Sequence, residues 1–86
     1  MVMATAMPTI FREKGYRFGF YSEEGNEPPH VHVKRGSGVL KLWLAEITIA
    51  SSRGFKPAEI REVLKIVRAH HKFLLNAWYE HQQSKN

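Results

Sequence analysis

Glu27-Pro28-Pro29-His30-Val31-His32-Val33-Lys34 is the stretch on which the fold turns. Two prolines bend the chain and keep its approach extended, and the residues after them alternate in character. Side chains alternate faces along a strand, so Val31 and Val33 take one face while His30, His32 and Lys34 share the other. The valine face belongs to a core. The opposite face carries imidazoles, which bind a proton, a metal or a phosphate near neutral pH.

Strands are predicted on both sides of this segment. Thr9-Ile10-Phe11 reads as an opening strand ended by a Lys14-Gly15 turn. Tyr16–Tyr21 follows, with Tyr16, Phe18 and Phe20 on one face and Arg17 and Tyr21 on the other. Glu23-Glu24-Gly25-Asn26 is a turn cluster. Gly36-Ser37-Gly38 signals a hairpin, after which Leu40, Leu42 and Leu44 oppose Val39, Lys41 and Trp43. Glu46–Ala50 is either a continuation past a bulge or a separate short strand. Ser51-Ser52-Arg53-Gly54 reads as the loop that leaves the sheet.

From Pro57 the period changes. Proline suits the first helical turn and Glu59 complements its positive end. Ile60, Leu64, Val67, His71, Leu74, Trp78 and His81 then recur at alternating steps of four and three, a helical pattern. A continuous helix from Pro57 to Gln83 would run about 40 Å at ~1.5 Å per residue. Val63, Ile66, Phe73, Leu75 and Ala77 widen its apolar arc to roughly 200°, when a surface helix needs little more than ~100°. The excess is met either by a second contact, in a homodimer or with another protein, or by a break near His70-His71 that folds the last turns onto the sheet.

The expectation is therefore a single α+β domain over residues 7–83. It has a small antiparallel sheet of three to five strands, followed by one long C-terminal helix packed on it. Residues 1–6 read as an N-terminal extension and 84–86 as a tail. Cores this short rarely divide, and 86 residues make one domain. The absence of cysteine removes disulfides and thiolate metal sites and fits a reducing cytoplasm. The first residues have neither a basic start nor a long apolar run, so neither a signal peptide nor a membrane span is expected. Thirteen Lys and Arg against eight Asp and Glu give a net charge of +5, which suits RNA, DNA or an acidic protein partner.

Met7-Pro8-Thr9-Ile10, Glu27-Pro28-Pro29-His30-Val31-His32-Val33, Lys41-Leu42-Trp43-Leu44, Arg53-Gly54-Phe55, Glu59 and Trp78 occur in this order. Together they resemble a bacterial family of short proteins known as a domain of unknown function, DUF4160. The resemblance covers nearly all of the chain after Met7; Tyr79-Glu80-His81 departs at one position from the family's aromatic ending. It implies one half of a small two-gene module of toxin–antitoxin type, whose partner is the product of the neighbouring small gene. It brings no established catalytic residues to this sequence. The apolar arc of the helix, at Phe73, Leu75 and Trp78, would give that partner a place to bind.

With the apolar residues under the helix, the other sheet face carries a basic surface with rings. Arg17, Tyr21, Lys34, Arg35, Lys41 and Trp43 are its candidate nucleic-acid-binding residues, since cations neutralise phosphates and rings stack bases. The plainer alternative is that one-sided strands alternate polar with apolar residues anyway. Catalysis is the sharper alternative: a metal-independent ribonuclease-type toxin would need a base, an acid and a cation, roles open to His30, His32 and Lys34. Against it, one histidine would simply hydrogen-bond a loop backbone and the other stay solvated. A metal is not expected, because zinc catalysis wants three protein ligands and no third accompanies His30 and His32. No other cofactor is implied either. His71 reads as a core histidine and His81 as the end of the helix. The leading expectation is a toxin–antitoxin-like component that binds its partner and nucleic acid.

Overall fold

The computed structural model describes residues 7–21 and 26–83. The expected extension at 1–6, most of the Glu23–Asn26 turn and the tail at 84–86 lie outside them. Strands β1 (Thr9–Glu13), β2 (Tyr16–Gly19), β3 (His30–Arg35), β4 (Gly38–Trp43) and β5 (Thr48–Arg53) precede helices α1 (Pro57–Ala69) and α2 (His71–Gln83). The strands lie side by side in sequence order, each antiparallel to the next. This is an α+β meander capped by helices, as the alternation and the later change of period imply.

Turn chemistry sets the register. The β1–β2 loop is Lys14-Gly15, with φ 53° and 86°, the two positive values that a type I′ hairpin turn requires. At Gly36-Ser37 only the glycine is positive, as in a type II′ turn. Gly38 and Gly54 are both needed where the chain leaves β5 and crosses the start of β4. A Cβ on Gly38 would lie 2.8 Å from the Gly54 carbonyl oxygen, and Gly54 itself has φ +78°. That close crossing delivers Phe55 to stack on Tyr16, 6.0 Å between ring centroids.

One face of the sheet contributes Tyr16, Phe18, Phe20, Val31, Val33, Leu40, Leu42 and Leu44 to the core. Val63, Ile66 and Val67 of α1 and Leu74 and Trp78 of α2 cover them. Helix α1 begins as its sequence suggests, with Pro57 first and the Lys56 N–H donating to Glu59 Oε1 at 2.7 Å.

Two expectations need correction. The single long helix is two helices, interrupted at His70 (φ −117°, ψ 25°). No proline or glycine causes the break. Adjacent histidines point about 100° apart on a regular helix, and here each finds its own partner: His70 Nε2 meets Glu13 Oε1 on β1 at 3.1 Å, while His71 Nε2 donates to the Leu44 carbonyl at 2.6 Å. The break thus takes up much of the excess apolar arc: α1 and α2 each bury their own stripe on the sheet. The second correction concerns β5. Ser51, Ser52 and Arg53 belong to that strand rather than to an exit loop, and a register shift between Lys41 and Leu42 accommodates them.

Candidate functional site

The face of the sheet turned away from the helices is organised in rows that run across the strands. Arg12 pairs with Arg17, Arg17 with Lys34, Lys34 with Val39, and Val39 with Arg53. Strands lie ~4.8 Å apart, so this row is roughly 19 Å long and carries a cation on four of its five strands. Like charges placed directly opposite one another destabilise a sheet by a few tenths of a kcal/mol or more. No carboxylate interrupts the row. The next row is Gly19, His32, Lys41 and Ser51, and after it come Trp43 and Thr48, in register with His30, whose ring is turned in against Trp78 of α2.

Between the first two rows lies a depression of about 280 Å³, lined by Tyr21, His32, Lys34, Lys41, Ser51 and Arg53 among others. The tyrosine and tryptophan rings of this face are already engaged by ammonium groups. Lys34 Nζ lies 5.2 Å from the Tyr21 centroid and Lys41 Nζ 4.7 Å from that of Trp43. The Tyr21 ring meets His32 edge-on at 4.5 Å. Lys41 also donates to Glu27 Oε1 at 2.5 Å. That bond is the main reason the Glu27 carboxyl is held below its ordinary value of 4.5. Lys41 is therefore partly neutralised, whereas among the described residues no carboxylate pairs with the cations of the first row.

Of the six expected nucleic-acid-binding residues, Arg17, Tyr21, Lys34, Lys41 and Trp43 come together on this face. Arg35 does not. It is odd in register with Lys34 and turns to the helix side, where Nη1 donates to Tyr16 Oη at 3.1 Å and lies 3.5 Å from Glu59 Oε2. Tyr16 in turn donates to Glu62 Oε1 at 2.8 Å. Burial first, and then the bond to Glu62, push the Tyr16 phenol above its ordinary value of 10.0.

The two histidines lie with ring centroids 5.1 Å apart but in different surroundings. His30 is wholly buried. Its Nδ1 donates to the Pro28 carbonyl at 2.9 Å, and its ring packs on Trp78 at 4.7 Å and near Trp43. The prolines thus hold the carbonyl that orients the imidazole. His32 is half-buried and lines the depression with Lys34 and Lys41, so only one of the two rings borders it. Among the described residues no group of three or more His, Cys, Asp or Glu is arranged to hold a metal ion.

The helix residues expected to meet a partner are also divided. Phe73 is exposed, Leu75 packs partly against the core, and Trp78 is only 3 % exposed, edge-on to Phe20 at 5.3 Å. Trp78 is a core residue in this fold. Arg12, Ser51 and Arg53 belong to the basic face and were not picked out in the sequence, because their positions depend on register between strands. Among the described residues no helix is long and apolar enough to cross a membrane.

Fold and face together define a small α+β protein with an open, cationic sheet surface. The chain belongs to the family described as a domain of unknown function, DUF4160, whose model matches residues 15–79. No curated protein and no solved structure matches it.

Proposed function

We propose that this protein is a non-enzymatic, nucleic-acid-binding component of a toxin–antitoxin-like two-gene module, and that it also binds the product of the neighbouring small gene. The observation that carries the nucleic-acid half is the row Arg12, Arg17, Lys34 and Arg53 across the sheet, in which no carboxylate stands. Four cations aligned without a carboxylate between them repel one another in the free protein, and a phosphate backbone relieves that repulsion. With ammonium groups resting on the Tyr21 and Trp43 rings, the first contacts are to phosphates, and base stacking is secondary. The two-gene setting is what the family resemblance implies.

Fluorescence anisotropy with labelled RNA and DNA oligomers tests this directly. Binding in the micromolar range is expected at low salt, about what sequence-independent phosphate contacts provide. Co-expression with the neighbouring gene should yield a complex that survives purification. Oligomers that stay unbound overturn the nucleic-acid half, and a failure to co-purify overturns the partner half. If RNA is cut, and His32→Ala stops the cutting while the protein stays folded, the ribonuclease-type reading replaces this one.

A further inference from the structure

On the opposite side of the molecule a groove of about 730 Å³ runs between the β1–β2 turn and α1. Its wall along α1 is Ala58, Arg61, Glu62, Lys65, Ile66 and Ala69, and the turn supplies Glu13 and Lys14. From Ala58 to Ala69 the groove follows the helix for roughly 16 Å at ~1.5 Å per residue. Both of its carboxylates are engaged. Glu62 accepts from Tyr16 and lies 3.7 Å from Lys14, and Glu13 is 3.1 Å from His70. Among the described residues Arg61 and Lys65, one turn apart and exposed, have no such counter-charge.

We infer that this groove binds an acidic amphipathic peptide segment, one that lays apolar side chains against Ala58, Ile66 and Ala69 and presents carboxylates to Arg61 and Lys65. The small side chains at Ala58 and Ala69 let a second backbone approach α1 closely, as helix packing at 8–10 Å requires. The two free cations set the sign of the partner's flanking charge. A phosphate backbone fits less well. It would meet Glu13 and Glu62 beside the cations and would gain nothing from the alanine and isoleucine floor. The inference deepens the partner half of the proposed function and rests on it. The nucleic-acid half, on the other face of the sheet, is independent of it.

The test uses the full chain and a fluorescein-labelled helical peptide of about four turns, with leucine and alanine on one face and glutamates flanking it. A control peptide carries lysine in place of each glutamate. Titration should move the backbone amide resonances of Ala58, Arg61, Lys65 and Ala69 and leave those of His32, Lys41 and Ser51 in place. The double charge reversal Arg61→Glu/Lys65→Glu should weaken binding at least about tenfold, with RNA binding by the sheet unchanged. The lysine control should not bind, which gives the same discrimination without altering the protein. Equal binding of both peptides, shifts confined to the open sheet face, no binding by the glutamate peptide, or loss of RNA binding on charge reversal each overturns the inference. RNA binding that fails by itself overturns the sheet proposal alone.

Discussion

Removing two neighbouring charges from the centre of the cation row should change the salt dependence of nucleic-acid binding by a calculable amount. Arg17 and Lys34 face each other across β2 and β3. Replacement of both by glutamine keeps much of each aliphatic stem and removes the charge. Four row cations, each neutralising one phosphate of a single strand, give a slope of log K against log salt of about −2.8, since each contact contributes ~0.7. Raising salt from about 50 to 200 mM then weakens the wild type about 50-fold and the doubly substituted protein, with a slope near −1.4, only about 7-fold. On duplex DNA the corresponding losses are about 150-fold and about 12-fold. Anisotropy titrations at four salt concentrations measure both slopes. Lys41 adds little to the slope because Glu27 already neutralises part of its charge. The substitutions also remove a like-charge pair worth ~0.2–1 kcal/mol, so thermal stability should hold rather than fall. A wild-type slope shallower than about −1, or a slope that the double substitution leaves unchanged, refutes the assignment of the row to phosphate contacts.

Tyr16 should mark the alkaline limit of the fold. Its phenol ionises above 10.0 in the folded protein because burial and Glu62 disfavour the anion, so the stability it contributes is complete below that value and is lost as pH rises through the higher folded value. Tyr16→Phe should remove this alkaline transition from a thermal-melt series and one late step from the ultraviolet tyrosine titration; an unchanged titration would contradict the geometry. Trp78→Ala should cost ~3–5 kcal/mol as a buried aromatic truncation, lowering the melting midpoint by well over ten degrees at about 4–8 °C per kcal/mol. If Trp78 lay at a partner contact instead, the isolated variant would melt like the wild type.

Much of the fold was legible because it is written in local terms. The alternation of Phe18 and Phe20, Val31 and Val33, and Leu40, Leu42 and Leu44 assigns one sheet face to the core without knowledge of any partner strand. Pro57 and Glu59 mark the start of α1 in the same local way. The break at His70 was not written locally. It depends on Glu13 and the Leu44 carbonyl, residues 57 and 27 positions away, and the sequence left a break and a second contact as equal alternatives. Strand β5 is only partly legible in the sequence because Ser51, Ser52 and Arg53 show no apolar alternation of their own. Their pairing with β4 makes them a strand.

The basic face divides along the same line. The alternation from His30 to Lys34 determined which side of β3 would be polar and which would be core, and composition determined that cations would outnumber carboxylates. The same pattern could not say that His30 would be enclosed by Trp78 and fixed to Pro28, since α2 supplies that cover from far along the chain. Nor could it align Arg12, Arg17, Lys34 and Arg53 into one row, because register between strands is a property of turns and bulges summed over the sheet. The sequence by itself determined the first four strands, the helical segment and the sign of the open face. Only the tertiary structure decided which charges stand in line and which histidine is wholly enclosed, because both depend on groups that are distant in sequence and adjacent only after folding.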